Sequence, residues 1–173
     1  MAGQTDAGDM AKTGIRIDIP GLGARHILTV LTDYTGTLSR GGRLVDGVRE
    51  LLCELAESVD IHVLTADTFG MAETELKDAP VILHRLHGDR QDTQKRVYGI
   101  KIGLAQCAVL GNGNNDRLLL KAAKDAGGIS IAVDNGEGCA TDALLNSNLF
   151  IVGAANALNL LLEPKGCKAT LRF

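Results

Sequence analysis

Three stretches of this chain group carboxylates, hydroxyls and amides at spacings that suit chemistry, and a lysine can join them. The first is Asp33-Tyr34-Thr35-Gly36-Thr37, which follows the run Ile27 to Thr32. A short apolar run bounded by Gly and polar residues reads as a buried strand. Asp33 then stands at the carboxyl end of that strand, where open α/β sheets place their ligands. A carboxylate there, followed by a turn with free backbone groups, can act as nucleophile or metal ligand. Taken alone, it reads more readily as an Asp that opens a common Asp-x-x-Gly turn. The second stretch is Thr65-Ala66-Asp67-Thr68, after the run Asp60 to Leu64. The third is Gly111-Asn112-Gly113-Asn114-Asn115-Asp116, after Cys107 to Leu110. Lys95, in the helical pattern before that run, can supply positive charge. One polar strand end means little, but three on one edge argue for a site.

The elements that position these residues alternate. Ile15, Ile17 and Ile19 carry the period of a half-exposed strand over Gly14 to Pro20, which is expected to pair with the strand leading to Asp33. Ser39 to Gly42 reads as a loop. Val45 to Ser58 has helical spacing at Val45, Val48, Leu51, Leu52 and Leu55. A strand over Asp60–Leu64, a short helix over Phe69–Leu76, a strand over Pro80–Leu86 and a helix over Arg90–Ile102 follow. Next come a strand over Cys107–Leu110, a helix over Asp116–Ala126 and a strand over Ile129–Val133. A helix over Gly138–Leu145, a strand over Leu149–Val152 and a helix over Ala154–Leu162, ending before Pro164, complete the chain. Such alternation predicts an α/β fold: a three-layer, Rossmann-like arrangement of about six mostly parallel strands with helices on both faces. Connections are short, leaving no room for a large cap domain. Residues 14–173 read as a single domain after a polar, disordered leader over 1–13.

Composition narrows the function. The chain has 173 residues, a net charge of −3 and 3% aromatics with no Trp. No stacking platform for nucleic acid and no polyanion-binding surface is implied. No apolar run reaches about 18 residues, so no membrane helix is expected. Cys53, Cys107, Cys139 and Cys167 show no CxxC spacing. Cys53 and Cys107 read as small buried hydrophobes, and free thiols without a signal peptide point to the cytoplasm. His26, His62, His84 and His87 have no metal-ligand spacing and take no assigned role.

The run Leu31-Thr-Asp33-Tyr-Thr-Gly-Thr37 resembles the first motif of the haloacid dehalogenase (HAD) superfamily. The second Asp usual two residues on is Thr35, a variant similar to the Asp-Lys-Thr-Gly-Thr motif of P-type ATPases. Thr65 resembles the second-motif hydroxyl and Lys95 the third-motif lysine. Gly111 to Asp116 is similar to the Gly-Asp-Gly-x-Asn-Asp metal motif, with Asn112 in place of its first Asp. Order and spacing agree over residues 27 to about 160, and the soluble P-type ATPase-like group is the nearest in pattern. The stretch Asn156 to Arg172 resembles that group's typical ending.

The resemblance implies Mg²⁺-dependent phosphoryl transfer. Asp33 would be the nucleophile, forming an aspartyl-phosphate. Asp33, the Thr35 backbone carbonyl, Asn112 and Asp116 would hold Mg²⁺. Gly36, Thr37, Thr65, Ala66 and Lys95 would bind the phosphoryl group, Lys95 neutralising charge in the transition state. Thr35 cannot replace an acid/base Asp, so slow turnover or good leaving groups are expected. Asn112 removes one negative charge from the metal site, which weakens it. The competing reading of these two changes is a non-catalytic phosphoryl-binding module, or a partner subunit of a larger complex. Plainer readings remain for single residues: Thr65, Asp67 and Asp116 as caps, Lys95 as a solvated helix residue. The partner expected is a small phosphorylated substrate or a phosphoprotein, and an open crevice makes a homo-oligomer plausible. ATP hydrolysis is not supported, because the pumps' nucleotide-binding domain is missing.

Overall fold

The computed structural model describes residues 12–66 and 70–173. The expected leader over 1–13 falls mostly outside them, as do Asp67, Thr68 and Phe69. Ile15–Ile19 (β1) and Gly23–Ile27 (β2) open the described chain, followed by Thr29–Thr32 (β3). Ser39–Arg40 (β4) and Arg43–Leu44 (β5) form a small antiparallel hairpin. Val48–Ala56 (α1), Asp60–Thr65 (β6), Met71–Glu75 (α2) and Ile82–Arg85 (β7) lead to Gln91–Ile102 (α3). A single 3₁₀ turn, Leu104–Gln106, precedes Cys107–Gly111 (β8). Arg117–Ala126 (α4), Ile129–Asp134 (β9), Thr141–Leu145 (α5), Leu149–Val152 (β10), Ala154–Leu162 (α6) and Lys165–Leu171 (α7) complete it.

Six strands make one sheet in the order β10-β9-β8-β3-β6-β7, every pairing parallel. Chain order runs outward in both directions from β3, so the crevice beside its carboxyl end is a topological switch point. Strand alternation sorts the core into two layers. Val30, Val63, Ala108 and Leu110 join Leu52 and Leu55 of α1 and Leu158 and Leu161 of α6 on one face. Leu31, Leu64 and Val109 join Leu119, Leu120 and Ala123 of α4 on the other. The expected three-layer α/β architecture is present.

Some expectations are corrected. β1 does not pair with the strand leading to Asp33. It pairs antiparallel with β2, as a separate two-stranded sheet. Gly21 (φ 86) and Gly23 (φ 83) turn the chain back after Pro20, and Leu22 N–H donates to the Ile19 carbonyl at 3.0 Å. Ser39 to Leu44 is a hairpin rather than a loop. Pro164 does not end the helical region: it is the N-cap of α7, a helix-opening role that its fixed φ suits. Cys53 is exposed, on the outer face of α1, whereas Cys107 is buried as expected.

Candidate active site

Register brings the polar strand ends to one level. Thr32 of β3 pairs with Val63 on one side and Leu110 on the other. Asp33 therefore stands between the ends of β6, with Thr65, and β8, with Gly111. Lys95 rises from the second turn of α3 into the same space. It is fully buried, unlike its exposed neighbours Arg96 and Lys101.

Lys95 bridges two carboxylates. Its Nζ donates to Asp33 Oδ1 at 2.7 Å and to Asp116 Oδ1 at 2.6 Å. Burial alone would lower its pKa, but Asp116 and Asp33 outweigh that and raise it, so it is an ammonium at neutral pH. Asp33 is pushed up from 3.8 to about 6, first by burial and further by Asp116, against the opposing pull of Lys95. A cluster of two carboxylates and one ammonium has a net charge of −1 when ionised, in a buried setting that disfavours it.

Asp116 occupies the N-cap position of α4, yet its side chain makes no cap hydrogen bond. Its Oδ2 instead accepts the backbone N–H of Asn112 at 3.0 Å and of Gly113 at 2.9 Å. It thus shapes the loop that presents Asn112 and aims Lys95 at Asp33. Gly111 permits this: a Cβ there would lie 2.5 Å from Asp116 Cβ. Asn112 Oδ1 accepts the buried Thr37 hydroxyl at 3.1 Å. Gly36 has φ 74, and a Cβ on it would lie 2.4 Å from Asn112 Nδ2. Only glycine allows both the left-handed turn and the close approach of the two loops.

The structure therefore brings together Asp33, Gly36, Thr37, Lys95, Asn112 and Asp116, with Thr65 buried at the neighbouring strand end and Ala66 after it. Thr35 is exposed at the turn. Asp67 lies outside the described residues. Sequence reasoning missed that Asp116 serves Lys95 and the loop amides before anything else. It also missed the Thr37–Asn112 link, whose partners are 75 residues apart.

The donors fit a hard dication. Asp33, the Thr35 carbonyl and Asn112 Oδ1 would offer oxygen donors, the type that Mg²⁺ prefers. Among the described residues no three of His, Cys, Asp and Glu group as metal ligands, which a site built partly from amide and carbonyl oxygens would not do.

No family model matches the chain. It is 41% identical over 63 residues to uncharacterized protein MJ0073 of Methanocaldococcus jannaschii, which is 36% of this chain and 63% of that protein. The chain thus spans less than two thirds of that relative. It is 39% identical over 41 residues to uncharacterized protein MJ0072 of the same organism, 24% of this chain and 93% of that protein. Among solved structures it is similar to the 3-deoxy-D-manno-octulosonate 8-phosphate phosphatase of Moraxella catarrhalis, in complex with magnesium, phosphate and KDO. The TM-score is 0.62 at 17% identity, over 84% of this chain and 91% of that one. The cobalt-bound phosphatase of the same type from Haemophilus influenzae gives 0.60 at 16% identity, over 85% and 94%. The haloacid dehalogenase-like hydrolase SP0104 of Streptococcus pneumoniae gives 0.56 at 12%, over 79% and 98%. The chain belongs to one family with the archaeal protein MJ0072, and its fold is that of the haloacid dehalogenase superfamily of hydrolases.

Proposed function

We propose that the chain is a phosphohydrolase acting on phosphomonoesters or acyl phosphates through an aspartyl-phosphate on Asp33. The observation that carries this is the buried Asp33–Lys95–Asp116 bridge at the switch point of the sheet. With its pKa near 6, Asp33 is mostly ionised at neutral pH and able to attack. One of its oxygens bonds to phosphorus while the bond from phosphorus to the leaving oxygen breaks, and the leaving group keeps the electron pair. Lys95 holds Asp33 in place and offsets charge on the transferring group. Thr65 and the backbone at Gly36 and Ala66 bind its oxygens. The leaving group takes its proton from water, because Thr35 has none to give at neutral pH. Water then displaces the phosphate and restores Asp33.

Asp33, the Thr35 carbonyl and Asn112 would hold Mg²⁺, which when bound lowers the charge on the phosphoryl oxygens. Asp116, with both oxygens engaged, acts through Lys95 and the loop amides. The solved structures with this fold include phosphatases for a small phosphorylated sugar acid, which supports a small phosphorylated substrate here.

The test is a panel including acetyl phosphate and para-nitrophenyl phosphate, with and without Mg²⁺, against Asp33→Asn. Mg²⁺-dependent release that vanishes in Asp33→Asn is the expected result. Release on no substrate above that control, together with no beryllium-fluoride adduct on Asp33, would leave only a binding module.

A further inference from the structure

Away from the candidate active site, three side chains from three elements converge on one point. His62 comes from β6, His84 from β7 and Tyr98 from α3. His62 Nδ1 lies 3.2 Å from His84 Nε2 and 2.7 Å from the Tyr98 hydroxyl. That hydroxyl lies 2.5 Å from His84 Nε2. The two imidazoles are nearly parallel, at 4°. Strand register explains the meeting. His62 pairs with Ile82, so His84 lies two residues further on the same face of the sheet. Tyr98 is three residues beyond Lys95 on α3, roughly one turn.

Hydrogen bonding does not fill this triangle. A neutral imidazole nitrogen either donates or accepts, and a phenol donates once. If the phenol donates to one imidazole and receives from the other, the nitrogen–nitrogen edge is left without a proton of its own. A cation within reach of all three atoms would bridge that edge as well.

We propose that His62 Nδ1, His84 Nε2 and the Tyr98 oxygen form a binding site for a divalent transition metal of the zinc type. The nitrogen–nitrogen edge suits the ion. A triangle with sides of 3.2, 2.7 and 2.5 Å has a circumscribed radius of about 1.65 Å, so a point about 1.2 Å out of its plane is about 2.05 Å from every corner. At that point the nitrogen–metal–nitrogen angle is about 103° and the two nitrogen–metal–oxygen angles are about 82° and 75°, so the phenol oxygen moves outward on binding to reach tetrahedral spacing. His84 also lines a cleft of about 520 Å³ with Arg85 and His87 beside the edge strand. That cleft brings solvent to one of the three residues. Imidazole selects zinc-type metals over Mg²⁺, so this site and the oxygen-lined one sort different ions. The site joins β6, β7 and α3, and it stands whether or not the chain hydrolyses phosphate.

The test is Zn²⁺ titration by calorimetry, with Co²⁺ absorption as a second readout. The full chain is used in a Cys53→Ser background, at saturating Mg²⁺. One Zn²⁺ per chain is expected, with a raised melting temperature. His84→Gln should weaken binding by about 100-fold and Tyr98→Phe by about 10-fold, while Asp33→Asn leaves it unchanged. Wild-type Zn²⁺ affinity in both folded His62→Gln and folded His84→Gln chains would overturn the assignment. So would the absence of binding to wild type at about 100 μM Zn²⁺.

Discussion

At the scale of single residues, Asp33 as the proposed nucleophile has no acid two residues on to help its leaving group depart. Thr35 is exposed two residues from Asp33, so a carboxylic acid fits there without disturbing the core. Thr35→Asp should raise turnover of an alkyl phosphate by about 10²-fold and of acetyl phosphate far less, because general acid catalysis matters most for poor leaving groups. Equal gains on both substrates would sink the argument. Asp33 makes a second prediction. Its folded pKa, about 6, exceeds its ordinary 3.8. The native state therefore holds this proton more tightly than the unfolded state. Stability from the group is fully present below about pH 4 and is lost as pH rises through about 6. Above that the native chain carries a cost on the order of 3 kcal/mol. Asp33→Asn removes it. Without divalent cations the variant should melt higher than wild type at pH 7.5, and the gap should close near pH 4.5. A gap of the same size at both pH values would show that the burial cost is absent.

At the scale of elements, the position of Lys95 depends on how closely α3 approaches α4. Gly99, one turn after Lys95 and buried, sets that distance. A Cβ there would lie 2.5 Å from Leu119 Cδ1 and 2.8 Å from Leu104 Cδ2. Gly99→Val must push α3 outward, an overpacking that costs roughly 1–3 kcal/mol. It should also lower kcat more than KM, since Lys95 moves relative to Asp33. Thermal melts and acetyl phosphate kinetics check both, and a variant with unchanged kcat would show that α3 does not set the site. This contact was not legible in the sequence, where Gly99 is an unremarked residue in a helical pattern. Local pattern did place β3, β6, β8 and the polar loops at their ends, because alternation and turn residues act over a few positions. It failed where partners are distant. The His62–His84–Tyr98 meeting depends on the β6–β7 register, which no spacing within either strand encodes. The helix α6 ends before Pro164 as expected, and α7 was missed because a proline that stops one helix can also start another.

At the scale of the whole molecule, one sheet is shared by two apolar layers, and the cysteines sample both. Cys107 is buried in β8, against Leu31 and Leu120. Cys167 is buried in α7, in the layer that contains Ile17 and Ile19 of the β1–β2 hairpin. Burial pushes both thiols up to about 11, so at pH 8 almost no thiolate is present in the native state, and labelling must wait for opening. The two openings differ. Freeing Cys107 requires separating β8 from β3 and β9, which dismantles the central sheet. Freeing Cys167 requires that a seven-residue helix leave the hairpin and α6, with Phe173 N–H donating to the Pro20 carbonyl at 3.2 Å. Detaching one short helix releases less surface than dismantling the sheet, and so costs less than global unfolding. With a thiol reagent followed by mass spectrometry, exposed Cys53 should react at once, Cys167 later, and Cys107 last, at the rate of global unfolding. Denaturant should accelerate Cys107 steeply and Cys167 weakly, since the slope follows the surface exposed in each opening. If Cys167 and Cys107 label together at every denaturant concentration, α7 and the hairpin are part of one cooperative unit with the sheet, and the terminal helix is no separate opening.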